Sequence, residues 1–213
     1  MTTTPNDITV LARPNQSYWT EDYRQFTSID PAIKNIGFRV EQRFKSGQIK
    51  MIHFERIALD DETKPLFASL QEMLDRLHPY MQHSHFFLVE RQQPISSQNQ
   101  VHTNSKVMRV FGHIMGYLLT KYANVGVHPM ITEVSPKLKG KMLGFAKDLT
   151  YAQTKSTGVK MGIALLTAAE DTTSLAVIKA AGAKKDDLTD TVCQTEAFIR
   201  GFYDLNNDKI KFT

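Results

Sequence analysis

The sequence contains a single cysteine, Cys193, which excludes an internal disulfide. One cysteine beside nine methionines is typical of a protein in a reducing compartment. The opening residues MTTTPNDITV lack the basic and apolar regions of a signal peptide. No apolar run approaches the roughly 20 residues that a membrane-spanning helix needs. We therefore expect an intracellular protein without a membrane span.

Glycine and proline are modest in number, at 11 and 8 residues, and 41% of the 213 residues are apolar. A chain of this size buries one sizeable core, and two full domains are not expected. The first residues are polar and include Pro5 and Pro14, as is typical of a flexible arm. We expect a flexible arm at residues 1–25 and a single domain at 26–213.

The net charge is only +4, but the lysines are unevenly distributed. Between residues 137 and 160 there is a single acid, Asp148, among six lysines. The lysines are Lys137, Lys139, Lys141, Lys147, Lys155 and Lys160. This cluster favours contact with nucleic-acid phosphates, whereas a solvated lysine-rich loop explains it equally well.

Strand-like and helix-like patterns follow one another along the domain. The predicted strands are 26–30, 36–43 and 49–57, which form an antiparallel meander, and the buried runs 86–90 and 130–134. The predicted helices are 62–81, 105–122, 159–181 and 187–203, with Gly182 as a C-cap. Residues 136–157 are weakly periodic and predict a functional loop or short helices. These patterns predict an α/β fold with a mixed five-stranded sheet, made of the meander plus parallel strands and flanked by helices.

Four acids lie where a pair of metal ions would need them. Asp30 ends the first predicted strand and Glu90 the fourth, while Asp187 and Asp190 are three residues apart on one helical face. Phosphodiester hydrolysis by in-line attack uses paired Mg²⁺ ions about 4 Å apart, and these hard ions prefer carboxylate oxygens. Taken singly, the acids also fit a turn, a surface ion pair or a helix cap. An acid directly after the apolar run Phe86–Val89 is harder to explain in this way, because it needs a cation or donor beside it.

Three motifs, in this order, resemble those of the RuvC-like resolvases, which have an RNase H-like fold. Ser28–Phe38 (SIDPAIKNIGF) resembles the opening motif, in which Asp closes one strand and Gly reopens the next. Leu88–Gln92 (LVERQ) resembles the second motif, an apolar strand that ends in Glu. Lys184–Asp190 (KKDDLTD) is similar to the closing motif of the poxvirus and iridovirus branch. The resemblance extends from about residue 26 to 202.

The resemblance implies that Asp30, Glu90, Asp187 and Asp190 are catalytic metal ligands. It implies Mg²⁺ as the cofactor, with Mn²⁺ able to substitute. Asp186 would then support the ligands or cap the helix.

The family also places a lysine near the scissile phosphate. Val134–Lys139 is similar to its proline-then-lysine step, and Tyr151–Lys155 to its later aromatic and basic cluster. We favour Lys155 as this catalytic lysine, followed by Lys139 and Lys160. The expected DNA-binding set is Lys137, Lys139, Lys141, Lys155 and Lys160.

Two features depart from the family pattern. Ala32 stands where bacterial relatives often have glycine. The polar stretch Gln93–Thr103 is longer, and it fits either a DNA-contacting loop or a tolerated insertion.

The histidines do not predict a zinc site, because His83 and His85 have no third ligand close in sequence. The helix at 105–122 carries an apolar stripe that fits either core packing or a partner surface. The stripe residues are Met108, Phe111, Met115 and Tyr117. The resemblance implies that this helix forms a homodimer interface, since two active sites suit the two opposing cuts in a four-way junction.

The expected function is Holliday junction resolution, in which paired symmetric nicks are made in four-way junction DNA by two-metal-ion hydrolysis. Such an enzyme would act in DNA recombination, repair or replication. The alternatives are another RNase H-like nuclease or strand transferase, and a non-catalytic protein that binds branched DNA. If the viral branch applies, the expected location is the host-cell cytoplasm or the site of viral DNA replication.

Overall fold

A six-stranded mixed sheet forms the centre of the protein. The structure is a computed structural model that describes residues 7–14, 20–59, 64–92, 101–123, 129–204, 207 and 209–210. The sheet contains β1 (Ile8–Ala12), β2 (Tyr23–Asp30), β3 (Ile36–Phe44), β4 (Ile49–Ile57), β5 (Phe86–Glu90) and β6 (Met130–Val134). The helices are α1 (Leu66–Met81), α2 (Val101–Tyr122), α3 (Pro136–Leu143), α4 (Tyr151–Ala168), α5 (Thr172–Ala180) and α6 (Lys185–Phe202). A separate two-stranded ribbon joins β7 (Tyr203–Asp204) to β8 (Lys209–Ile210).

The strand order in the sheet is β1-β6-β5-β2-β3-β4. β2, β5 and β6 are parallel, and β2, β3 and β4 form the antiparallel meander that the sequence predicts. The α/β class and the mixed sheet are therefore confirmed. The sheet has six strands rather than the predicted five, because β1 pairs antiparallel with β6.

The sixth strand comes from the segment that we expected to be a flexible arm. In β1 the side chains alternate, with Ile8 buried, Val10 and Ala12 half-buried, and the residues between them exposed. This period of two is typical of an edge strand with one face on the core. The arm prediction is wrong for residues 8–12 and for residues 23–25, which open β2. Residues 1–6 and 15–19 of the predicted arm lie outside the described residues.

The sheet is covered by helices on both faces. Successive β5 residues point to opposite sides, so Phe87 and Val89 join the core formed with α1 and α2. Phe86 and Leu88 join the core that contains Phe198 of α6.

Among the described helices, none is long and apolar enough to span a membrane.

Helix boundaries differ from the prediction after β6. The stretch 136–157 contains α3 and the first turns of α4, so the short-helix alternative holds for part of it. The single helix predicted at 159–181 is two helices, because Glu170 adopts a positive φ of 55° and the Asp171 side chain caps the start of α5. Gly182 follows α5 with a φ of 59°, in the left-handed conformation that suits glycine after a helix.

The apolar stripe of α2 mainly serves core packing, since Phe111 and Met115 are buried against the sheet. α2 begins at Val101, which is earlier than predicted. Residues 93–100 of the predicted loop Gln93–Thr103 lie outside the described residues.

Candidate active site

Asp30 and Glu90 lie side by side at the carboxyl ends of two parallel strands. In the register of β2 and β5, Ile29 is paired with Val89, so the next residue of each strand is an acid. The carboxyl ends of parallel strands share one edge of the sheet, where α/β proteins commonly place functional groups. The charge of Glu90 accordingly acts on the Asp30 carboxyl group.

Helix α6 brings the two other acids to this edge. Gly37 is paired with Asp30 across β2 and β3. A Cβ atom at Gly37 would lie 2.2 Å from the backbone oxygen of Asp187, so the absence of a side chain there lets α6 lie against the sheet. The charges of Asp187 and Asp190 both reach Asp30, as their predicted position on one helical face requires.

Helix α4 packs closely along α6 beside these acids. A Cβ atom at Gly162 would lie 2.7 Å from Cβ of Thr189. One helical turn earlier, a Cβ atom at Gly158 would lie 3.6 Å from Oδ1 of Asp190. The two small residues therefore let the first half of α4 border the site.

Lys139 places a positive charge among the acids. Its Nζ lies 2.6 Å from Oε2 of Glu90 and 3.0 Å from Oδ1 of Asp190. Ser135 caps α3 directly after β6 and Pro136 is its first residue, so Lys139 is reached one turn beyond the sheet edge. Burial alone would lower the pKa of Lys139, but the nearby charges of Glu90, Asp190 and Asp30 raise it above its usual range. Lys139 is therefore a charged ammonium group at neutral pH.

The crowding of acids changes the proton affinity of two of them. The pKa of Asp30 is raised well above its usual range, chiefly by burial and next by the charge of Glu90. Lys139 acts in the opposite direction. Burial and the charge of Asp186 raise the pKa of Asp187, and Lys155 opposes them. Both shifts disfavour the ionised carboxylate, which additional positive charge nearby would favour.

The donor atoms fit a hard divalent cation. The site offers carboxylate oxygens, which Mg²⁺ and Mn²⁺ prefer. Among the described residues, Oδ2 of Asp187 is buried without a hydrogen-bond partner, and Oε2 of Glu90 lies 2.6 Å from Nζ of Lys139. Within the described ranges, no three acid, histidine or cysteine side chains are arranged as a ready-made metal site. A divalent ion would share or displace the Lys139 contacts.

Lys155, which we favoured as the catalytic lysine, lies at the border of the site rather than among the four acids. Its Nζ forms an ion pair with Asp186. Burial alone would lower the pKa of Lys155, but Asp186 and Tyr151 together raise it above its usual range, so Lys155 stays charged. Lys139, which we ranked behind Lys155, contacts Glu90 and Asp190 directly. The signal in the sequence was the Ser135-Pro136 helix start, which fixes Lys139 one turn from the sheet edge.

The other predicted DNA-binding lysines differ in their exposure to solvent. Lys137 and Lys160 are exposed. Lys141 is half-buried, and its Nζ lies 2.7 Å from Oδ2 of Asp7. Lys139 is buried in the acid cluster and is not a surface contact in this arrangement. The DNA-binding role of the set stays a prediction.

His85 has a structural role. Its ring is buried, its Nδ1 accepts a hydrogen bond from the backbone N–H of Gln25 at 3.0 Å, and its Nε2 lies 3.2 Å from Oε2 of Glu21. His83 is exposed. Both nitrogens of His85 are therefore engaged in contacts that position β2.

Comparison with known proteins reveals the fold. No protein-family model and no curated protein matches the sequence significantly. Solved structures do match. RuvC of T. thermophilus, in complex with a Holliday junction substrate, has a TM-score of 0.54 at 13% identity, over 81% of this chain and 91% of that chain. The chain has the fold of a RuvC-type resolvase.

Two further structures have this fold. The yeast mitochondrial Holliday junction resolvase Ydc2 matches with a TM-score of 0.56 and 16% identity, over 87% of this chain and 82% of that chain. The fowlpox virus Holliday junction resolvase matches with a TM-score of 0.52 and 16% identity, over 82% of this chain and 97% of that chain. Bacterial, mitochondrial and viral RuvC-type structures thus share this architecture, as the sequence motifs predicted.

Proposed function

We propose that this protein is a Holliday junction resolvase that cuts four-way DNA junctions with the help of Mg²⁺ or Mn²⁺. One observation carries the proposal. Asp30, Glu90, Asp187 and Asp190 are brought together from three elements at one edge of a RuvC-type sheet, with Lys139 between them. Four acids facing a phosphate backbone would repel DNA unless cations lay between them, so the cluster favours metal-assisted hydrolysis over DNA binding alone.

The acids would hold the divalent ions through their carboxylate oxygens. When bound, such ions activate the attacking water and stabilise the leaving 3′ oxygen of the phosphodiester. Asp187 offers the buried unpaired Oδ2, and Glu90 and Asp190 offer the oxygens that face Lys139. The Lys139 ammonium group, which lies beside these oxygens, would offset charge on the scissile phosphate. The products would be nicked duplexes with 5′-phosphates.

A four-way junction must be cut on two opposing strands, and we propose that a homodimer supplies the two sites. Support comes from α2, whose outer side carries exposed positions such as Gly112 and Gly116, where a Cβ atom would have no described residue within 4 Å. A closed two-fold pair through this side of the molecule would present two equivalent sites. Light scattering after size-exclusion chromatography tests this directly, and a mass near 24.2 kDa would contradict it.

The decisive experiment is cleavage of a synthetic four-way junction beside a linear duplex of matched sequence. Each substrate is incubated with Mg²⁺, with Mn²⁺ and with EDTA, and the products are scored for paired symmetric nicks. Paired nicks in the junction alone, abolished by EDTA, are expected. Equal degradation of both substrates would instead identify a general RNase H-like nuclease or strand transferase.

Asp187→Ala separates catalysis from binding. Loss of cleavage with retained or tighter junction binding is expected, because one metal-ligating acid is removed while the basic surface is kept. Salt-sensitive junction binding by the wild type without any cleavage would overturn the proposal in favour of a non-catalytic binding protein.

A further inference from the structure

Tyr151 is the most exposed large apolar side chain among the described residues. Its relative exposure is 77%, whereas Phe67, Leu11 and Tyr80 have 44%, 41% and 38%. An aromatic side chain left this open contributes little to folding, since it removes little apolar area from water. Its ring is available to a partner.

The backbone of Tyr151 is fixed at the start of a helix that borders the acid cluster. Tyr151 is the first residue of α4, whose start is fixed by a capping box between Thr150 and Gln153. Lys155 lies one turn further on the same face, with its Nζ 5.5 Å from the centre of the Tyr151 ring. Lys155 also pairs with Asp186, and its charge reaches Asp187. The ring is therefore separated from an expected metal ligand by one lysine side chain.

Aromatic and basic groups next to each other suit a nucleic-acid strand. Nucleobases stack on exposed aromatic rings, and the adjacent phosphates pair with lysine. In a continuous duplex every base is already stacked between its neighbours, so a ring gains a base only where stacking is interrupted. A branch point is such a place.

We propose that Tyr151 stacks on a nucleobase exposed at the branch point, while Lys155 contacts a phosphate of the same strand. Tyr151 is then a specificity-determining residue that favours branched over linear DNA. This inference rests on the proposed junction-cutting function. It also gives Lys155 the role of positioning the DNA strand, whereas Lys139 is the lysine that contacts the acid cluster.

The test uses a four-way junction with 2-aminopurine at the branch point and a linear duplex with the same label. All binding measurements are made in the Asp187→Asn background with Mg²⁺, so that the DNA is not cut. Tyr151→Ala is expected to weaken junction binding by about tenfold and to remove the fluorescence change of the label, with linear-duplex binding unaltered. Tyr151→Phe keeps the ring and is expected to behave like its parent. Phe67→Ala is the matched control, because Phe67 is an exposed aromatic residue on α1, which covers the opposite face of the sheet.

The outcomes separate this inference from the proposed function. Wild-type protein is assayed for paired junction cuts in parallel, and thermal melting of Tyr151→Ala checks that the fold is kept. If wild type cuts junctions while Tyr151→Ala binds them as tightly as its parent, the stacking inference fails and the proposed function stands. If Tyr151→Phe is as weak as Tyr151→Ala, the hydroxyl group matters rather than the ring, which also overturns stacking. If wild type neither binds nor cuts the junction, both fail.

Discussion

The backbone oxygen of Asp187 lies directly over Gly37, so closely that a Cβ atom on Gly37 would be 2.2 Å away from it. Gly37 is also the partner of Asp30 in the sheet. One glycine therefore fixes the distance between a strand acid and a helix acid of the candidate site.

Gly37→Ala is expected to reduce cleavage and stability together. The new methyl group meets backbone atoms that cannot rotate away, so α6 must shift and carry Asp187 with it. We expect a loss of ~1–3 kcal/mol in the free energy of unfolding, as for other overpacking changes. Denaturant melts and junction cleavage rates measure the two effects. Gly140→Ala in α3 is the stability control, since its methyl group would make ordinary van der Waals contact with Phe145 at 3.6 Å and the change in a helix should add ~0.5–1 kcal/mol.

Lys139→Met is expected to lower the melting temperature in EDTA and to increase the stabilisation that Mg²⁺ gives. Removal of the ammonium group leaves Glu90 and Asp190 without their cation, and a divalent ion no longer competes with it for their oxygens. Thermal melts with and without Mg²⁺ measure both effects. Lys137→Met is the control, because Lys137 is exposed on the same helix. An equal Mg²⁺ effect in wild type and Lys139→Met would contradict this role.

Asp30→Asn is expected to stabilise the protein at pH 7 in EDTA while abolishing cleavage. The pKa of Asp30 is raised in the folded protein, chiefly by burial and then by Glu90, so the folded state binds this proton more tightly than the unfolded chain. Ionised Asp30 therefore costs stability, and this cost shrinks as the pH falls below the raised folded-state pKa and is gone below the pKa of the unfolded chain. Melting temperatures from pH 4 to pH 8 should show a gain for Asp30→Asn at neutral pH that shrinks towards acid. A gain of the same size at every pH would argue against this cause.

The buried guanidinium group of Arg39 joins β3 to α5, away from the acid cluster. It donates hydrogen bonds to Oγ of Ser174 at 2.8 Å and Oδ2 of Asp171 at 3.0 Å, and it pairs with Glu41. Arg39→Met leaves two buried carboxylates without this partner, and we expect a loss of ~3–5 kcal/mol in the free energy of unfolding. Arg76→Met removes a surface ion pair with Glu55 and should cost less than ~1 kcal/mol. Equal effects of the two substitutions would contradict this assignment.

The same network gives a pH dependence of the opposite sign to that of Asp30. Burial alone would raise the pKa of Glu41. The charges and hydrogen bonds of Arg43 and Arg39 together outweigh burial, so the pKa of Glu41 is below its usual range. A carboxylate with a lowered folded pKa adds stability above its unfolded pKa and loses it as the pH falls through the folded pKa. Glu41→Gln should therefore be destabilising at neutral pH, with a deficit that narrows in strong acid.

Strand periodicity and motif order were sufficient to predict five of the six strands of the central sheet and the meeting of the four acids, but not β1. β4, β5 and β6 begin and end where the sequence patterns placed them. The place of Lys139 was harder to predict, because it depends on the direction in which α3 leaves β6, and several lysines lie within a few residues of one another. The pairing of Arg39 with Asp171 was not predictable either, since it joins residues 132 positions apart that meet only after the helices pack.

The outermost strand determines how far the chain can be shortened at its beginning. β1 is paired with β6 from Ile8 to Ala12, and the backbone of Asp7 accepts a hydrogen bond from Ser135 N–H at 2.8 Å. A truncation that removes β1 leaves the outer edge of β6 with unpaired peptide groups, which is a template for association with another chain. If a protease used to remove an expression tag also cleaved off β1, the shortened protein would therefore aggregate. Solubility during purification thus depends on a segment that takes no part in the candidate chemistry.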